Sequence, residues 1–436
     1  MVGIIGLLAG IAFLMIGAYK GLAALPLTLT AGLIVVLTNQ LEIWPAFSET
    51  YLNGYVGFFR NFFLIFASSS LYAKIMEESG AAISIGYKFI DWFGSKRAVL
   101  VVFFATAALT YGGISLFVVV FAIAPIIMVL FKEADIPRRL AMGPLILGSA
   151  TFTMTSLPGT PQLTNVVPTN FLGTTLTAAP VLTLIGAGMM ITLSCFYLSW
   201  EERRLRAAGE HFTFPEGKDL SAYEVNREEL PSAVSSFLPM LVVVGMIVGL
   251  RTVITDSAAL IVLAMMVASG VALAFNWSRL HDKKAVVNAG TTGAITAISG
   301  PCAVVAFGSL VQSTHSFQLI VQWLLSFDMN IYVTAAVATA IISAITGSSS
   351  GGLQITMETL STQYIESGAN LEIIHRLSSI FAGSLDTLPH ASALFLMFAY
   401  LGLTHKEAYR FVGLGAVLIP LIVGTILLTG VVMLGL

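Results

Sequence analysis

The stretch Thr346-Gly347-Ser348-Ser349-Ser350-Gly351-Gly352 interrupts an apolar segment, and Thr110-Tyr111-Gly112-Gly113-Ile114-Ser115 interrupts another in the first half of the chain. Roughly 25 positions beyond each lies a basic residue, Arg376 in the second half and Arg138 in the first. Further on, each half carries a Leu-Pro break: Asp386-Thr387-Leu388-Pro389-His390 and Ser156-Leu157-Pro158-Gly159-Thr160-Pro161. A broken backbone inside an apolar segment leaves N–H and C=O groups that hydrocarbon cannot satisfy, so protein, water or a bound solute must take them. Two such breaks at matching places in two halves mark a repeat with a binding centre at its middle.

Of the 436 residues, 57% are hydrophobic and 10% charged. A soluble domain carries about 25% charged residues, so the chain reads as an all-α polytopic membrane protein. Its net charge of −2 and the lack of a basic patch with interleaved aromatics exclude a nucleic-acid partner. The partner implied is the lipid bilayer. Cys195 and Cys302 lie far apart in apolar runs and are expected to be free thiols.

Spans need about 20 apolar residues. In the first half, windows of that kind cover residues 2–19, 22–38, 58–76, 141–171 (broken) and 180–200. In the second they cover 237–253, 258–275, 285–311, 377–403 (broken) and 411–434. Residues 98–131 and 331–365 carry their break near the middle and are read as re-entrant hairpins. Residues 80–94 and 314–327 are short, mixed and aromatic, as interfacial helices are. The first apolar segment has no preceding positive charge and is read as a retained span.

With the N-terminus outside, only Arg60, Arg251 and Arg376 of the 21 Lys and Arg residues fall outside, and the other 18 fall inside. Each half then has five crossings, one of them broken, plus one hairpin. Because five is odd, the second half enters from the opposite face: an inverted repeat of residues 1–200 and 232–436, joined by a polar cytoplasmic linker, 201–231. Both termini are expected outside, in a bacterial-type inner membrane.

The chemistry follows from the breaks. Glycines let the backbone approach a solute closely, and helices starting at a break aim N–H groups and positive dipole ends at it, which suits an anion. Gly112, Gly113 and Ser115 at the first tip, and Ser349, Ser350 and Gly351 at the second, are therefore candidate substrate contacts. Thr160, Gln162 and Asn165 in the first broken span complete the set. Asp386 and His390, four residues apart, are the candidate proton-coupling pair, since an intramembrane carboxylate is a functional-site hypothesis in itself. The competing reading of Asp386 is a cap on backbone N–H groups freed by Pro389. Glu358 is a weaker candidate, Glu77 and Glu78 beside Lys74 are read as interfacial, and His315 as a surface residue. No Lys or Arg is assigned to mid-membrane depth, which favours a small monocarboxylate over a multiply charged anion. No metal or organic cofactor is called for. The coupling ion is H⁺ or, as the alternative, Na⁺. A channel would need a continuous pore rather than inverted hairpins, and an intramembrane enzyme would need a catalytic constellation that the six histidines do not form.

The run His375-Arg376-Leu377, then Ala382-Gly383-Ser384-Leu385-Asp386-Thr387-Leu388-Pro389-His390, then Gly402-Leu403-Thr404-His405 resembles the gluconate:proton symporter (gluconate permease) family of the ion transporter superfamily. The chain departs from that family's usual pattern at Ser384, where glycine is common, and at Ala391-Ser392, where Asn-Gly is common. Next to the candidate site, these departures point to the branches that handle 3-hydroxybutyrate or other short-chain carboxylates. The resemblance implies proton symport of a small carboxylate, a homodimer, and a transport unit that moves like an elevator against a fixed scaffold. It also adds Thr387, in the second broken span, to the candidate substrate contacts.

Overall fold

The computed structural model describes residues 2–111, 116–160, 162–215, 227–250, 253–254, 256–280, 282–325 and 330–435. The expected contacts Gly112, Gly113 and Ser115, the basic residue Arg251 and the middle of the linker lie outside the described residues. What is described is helix and connecting turn. The first half contains α1 (Val2–Tyr19), α2 (Ala24–Thr38), α3 (Ile43–Glu78), α4 (Ala81–Phe93), α5 (Ala98–Tyr111), α6 (Leu116–Glu133), α7 (Met142–Ala150), α8 (Leu163–Leu172) and α9 (Pro180–Ala207). The second contains α10 (Ala233–Leu250), α11 (Ser257–Asn276), α12 (Lys283–Gln312), α13 (His315–Leu325), α14 (Ile331–Thr346), α15 (Ser349–Glu366), α16 (Leu371–Leu385), α17 (Ser392–Leu401) and α18 (His405–Leu434).

Six of these helices are long and apolar enough to cross a membrane alone: α1, α3, α9, α12, α18, and α11 with its short extension to Arg279. Several expected crossings are made of shorter helices, α2 and α10 among them. The expected span 58–76 is the second half of a much longer helix, which begins at Ile43 and passes through a π turn at Ala46–Tyr51. Residues 81–93 form a separate helix, as the amphipathic pattern predicts, and the chain bends 115° between α4 and α5. Sequence signals account for most second-half starts. Asp256, Asp282, Asn330, Ser348, Asn370 and Thr404 each accept a hydrogen bond from an amide in the first turn of the helix that follows.

The two halves run in the same order: two helices, one long helix, one short amphipathic helix, a helical hairpin, a broken pair and a long closing helix. Their packing is matched as well. α1 packs on α2 as α10 packs on α11; α2 meets α12 as α11 meets α3; α5 packs on α7 as α14 packs on α16; α4 meets α10 as α13 meets α1. The long helices α3 and α12 pack on one another along the junction of the halves. Leu7, Leu14, Val35, Phe307, Leu310 and Phe317 bury one apolar cluster among α1, α2, α12 and α13. The larger cluster fills the space around the hairpins and broken pairs.

Residues 201–207 continue α9, and residues 208–215 dock on the loop after α6. His211 Nδ1 meets Asp135 Oδ2 at 2.7 Å, the Phe212 amide donates to Asp135 Oδ1 at 3.0 Å, and Arg139 pairs with Glu210. Above them, buried Glu201 joins α9 to α18 by accepting from Arg410 Nε at 3.0 Å and from Arg204 Nε at 2.7 Å.

Candidate functional site

Consider the first break. α7 ends at Ala150, and one further helical turn, Phe152–Thr155, stops where Pro158 and Gly159 prevent continuation. Stopping a helix orphans its last carbonyls, and here side chains take three in succession. Thr160 donates to Thr153 O at 2.7 Å, Thr164 to Met154 O at 2.6 Å, and Arg376 Nη1 to Thr155 O at 2.6 Å. The Asn165 amide nitrogen donates to Thr160 O at 2.8 Å and Leu176 O at 2.9 Å. Its Oδ1 lies 3.1 Å from His375 Nε2. Because Oδ1 can only accept, His375 carries its proton on Nε2, leaving Nδ1 to accept from the Thr174 hydroxyl at 2.7 Å. The end of α5 is tied in too: Gln162 Nε2 donates to Thr110 O at 2.7 Å, and the Tyr111 hydroxyl to Pro158 O at 3.1 Å.

The sequence places Arg376 on the outer side of the membrane. In the fold it and His375 are completely buried within the protein, and Arg376 is among the largest side chains so buried. Its second nitrogen reaches Ala178 O at 3.3 Å. The physical reason is the saturation just described, since a guanidinium is fork-shaped and can serve two separated carbonyls at once. Arg138 does the reciprocal job, donating to Gly402 O at 2.8 Å and Leu401 O at 3.4 Å at the end of α17. Each half therefore braces the broken pair of the other. The signal available in the sequence is a basic residue at the head of the uncharged run 377–385, which folds within a helix buried from Ile373 to Ser384.

The second break is built differently. α16 ends at Leu385, Asp386 occupies its C-cap, and α17 begins at Ser392. Asp386 is 8% exposed, Thr387 3% and His390 1%. Among the described residues, Asp386 Oδ1, Thr387 Oγ1 and both ring nitrogens of His390 are buried without a hydrogen-bond partner. The hairpin tip faces this group. Gly347 has φ +60°, and a Cβ there would lie 3.0 Å from His390 Cδ2 and 3.4 Å from Ala391 Cα. Ser349 lies beside the Asp386 carboxylate. The serine run is less of a loop than its composition predicts: only Gly347 and Ser348 separate α14 from α15. Ser348 caps α15 by accepting from the Gly351 amide at 3.2 Å, so Ser349, Ser350 and Gly351 form its first turn. α15 is brought tight against α14 at Gly352, where a Cβ would meet Ser343 Cα at 2.4 Å.

The expected residues thus separate into two groups. Asp386, Thr387 and His390 meet the Gly347–Ser349 tip: Asp386 Oδ1 and Thr387 Oγ1 are unpaired, the Ser349 hydroxyl and the Ser349 and Thr387 amides lie beside the Asp386 carboxylate, and the Ala344 and Ile345 carbonyls lie beside the His390 ring. Thr160 and Asn165 are brought together with His375 and Arg376, and they spend their polar groups closing the first break. Glu358 is exposed and accepts from Gln354 at 2.6 Å, and His315 is exposed. Glu77 and Glu78 pair with Lys74 at 3.4 and 2.7 Å. Cys195 and Cys302 are free thiols.

A bundle of apolar helices, interrupted twice at matched places and lined at one interruption by unpaired polar groups, defines a multi-pass membrane transporter. No family model matches the chain. It is 32% identical over 444 aligned positions to the uncharacterized transporter YxjC of Bacillus subtilis (strain 168), with 93% of each chain covered. It is also 23% identical over 337 positions to an uncharacterized transporter of Haemophilus influenzae, with 74% of each covered. The chain belongs to the family of the YxjC transporter.

Proposed function

We propose that this transporter is a secondary active importer of a small organic carboxylate, of the hydroxybutyrate, short-chain or gluconate type, driven by proton symport. The observation that carries the reading is the difference between the two breaks. At the first, Thr160, Thr164 and Arg376 take the carbonyls of Thr153, Met154 and Thr155, Asn165 and His375 pair with one another, and the one atom of this set left buried and unpaired is Arg376 Nε, a donor. The second buries an unpaired carboxylate oxygen, a hydroxyl and an imidazole together. A buried polar group left unpaired costs about 1–3 kcal/mol, and a charged one more, so such a cluster persists where a ligand or proton completes it. Asp386 takes the coupling proton in this reading. Thr387, His390 and the first turn of α15, at Ser349, Ser350 and Gly351, hold the carboxylate in this reading.

The matched element order, matched packing and reciprocal Arg138 and Arg376 braces support an inverted repeat. In it α1–α4 and α10–α13 form the scaffold, and the hairpins, broken pairs, α9 and α18 form a moving unit. Elevator motion and a scaffold-mediated homodimer complete this proposal on the strength of the gluconate permease resemblance.

The test is uptake of labelled 3-hydroxybutyrate and gluconate into proteoliposomes. An inside-alkaline pH gradient should drive accumulation, and Asp386→Asn should abolish that while leaving substrate exchange. Accumulation that follows a sodium gradient and ignores pH would replace proton coupling by sodium coupling. Undiminished gradient-driven uptake by Asp386→Asn would remove Asp386 from the role.

A further inference from the structure

Away from the breaks, a cavity of about 540 Å³ opens between the start of α5, the loop after α6 and the end of α9. Lys96, Leu100, Ser199, Glu202, Arg203 and Arg206 line it. Its charges are unequally spent. Arg206 is committed to Glu202 at 3.0 Å and to Ala134 O at 2.9 Å, which also neutralises the one acid in the wall. Lys96 and Arg203 are exposed and, among the described residues, have no ion-pair or hydrogen-bond partner. Two free cations therefore share one concavity with a serine hydroxyl.

The cavity's place along the helices matters. It sits where the apolar part of α9 gives way to Glu201-Glu202-Arg203-Arg204, that is, where a membrane-spanning helix leaves hydrocarbon. Exposed aromatic residues flank it on both sides: Trp92 (60%) and Phe93 (48%) at the end of α4, Phe196 (73%) and Trp200 (45%) on α9. Exposed tryptophan at such a junction sits at headgroup level. Below the cations, Phe196 and Phe104 offer an exposed apolar wall.

We infer that this cavity is a binding site for the phosphate headgroup of an anionic phospholipid. Lys96 and Arg203 hold the phosphate, Ser199 contributes a hydroxyl, and the acyl chains lie against the Phe104 and Phe196 surfaces. Basic pockets between membrane helices are suited to such headgroups. A lipid seated there joins the root of the first hairpin to the end of α9.

The test titrates the purified full chain in neutral detergent with phosphatidylglycerol and with phosphatidylcholine, reading the melting temperature. A cation near an anionic headgroup contributes about 1 kcal/mol, about fivefold in affinity, so two give a preference on the order of 30-fold for phosphatidylglycerol. Lys96→Gln/Arg203→Gln should bring the two lipids within about twofold. Lys284→Gln/Lys406→Gln, which removes the same charge elsewhere, should retain the preference. Equal preference in the cavity variant and the wild type would overturn the site. Equal stabilisation by free glycerol phosphate at matched concentration would overturn the lipid assignment. Neither outcome depends on what is transported.

Discussion

Replacing Gly347 with alanine tests whether the second hairpin tip and His390 act together, and Gly368 supplies its control. Both glycines are left-handed, with φ +60° and +69°. An L residue in that conformation costs roughly 1–2 kcal/mol, so both alanine variants carry the same backbone penalty. Their surroundings differ. At Gly368 an added Cβ meets nothing within 4 Å, whereas at Gly347 it comes within 3.0 Å of His390 Cδ2 and 3.2 Å of Nε2. Carbon contacts are comfortable at about 3.5–4.0 Å, so His390 must retreat by several tenths of an ångström. The backbone cannot easily take up the shift, because Ala391 Cα stands 3.4 Å away on the same side. In the proposed function the His390 ring holds the substrate carboxylate, so displacing it weakens binding. We expect Gly368→Ala to lose about 1 kcal/mol of stability and to keep its half-saturation concentration within about twofold. Gly347→Ala should lose similar stability and raise that concentration about tenfold or more, equivalent to about 1.4 kcal/mol. Uptake kinetics in proteoliposomes, with denaturation of both variants, decide it. Equal half-saturation concentrations for the two would refute the coupling of tip and histidine.

Three other outcomes follow from the geometry. Arg376→Met strands the carbonyl of Thr155 at about 1–3 kcal/mol, while Ala178 O keeps the Thr183 hydroxyl at 2.9 Å, so it should lower the melting temperature beyond Arg376→Lys, which can still serve Thr155; melting like wild type would show that the first break does not need the brace. Gly352→Ala drives a methyl into the Ser343 backbone and should melt lower still than Gly347→Ala, because two helix axes must part; an unchanged melting temperature would contradict the close approach of α14 and α15. The third concerns Asp135, whose carboxyl lies below its ordinary value of 3.8 because His211 hydrogen-bonds it, with the Phe212 amide adding to the effect. A lowered carboxyl contributes order above its ordinary value and loses it as pH falls through its folded value. Protection of residues 208–215 against hydrogen exchange, taken relative to the intrinsic exchange rate at each pH, should therefore be high at neutral pH and fall in acid, while Asp135→Asn should lose that acid dependence; an identical protection profile in the variant would show that the contact does not hold the segment.

The length of the apolar segments, the interruptions at Gly347 and Pro389, and the capping residues Asp256, Asn330, Ser348 and Asn370 act through near neighbours in the chain. The helical membrane class, the order of the elements and the positions of both breaks were legible from them. Asp386 and His390 were legible for the same reason, since an ionisable residue in an apolar run is conspicuous wherever it packs. What the sequence could not decide was how each polar group is spent. Thr160 and Asn165 look like ligand contacts by composition, yet the carbonyls of Thr153, Thr160 and Leu176 claim them. Arg376 counts by charge as an outer-side residue, yet it helps close a break that lies some 220 positions earlier, as its bond to Thr155 shows. Hydrogen-bond satisfaction inside a membrane protein is settled between segments distant in sequence, because a group with no partner in its own helix must find one wherever the fold brings it. The sequence by itself determined where the helices break. Only the tertiary structure decided at which break protein side chains take the freed carbonyls and at which, among the described residues, Asp386 Oδ1 and Thr387 Oγ1 stay buried and unpaired.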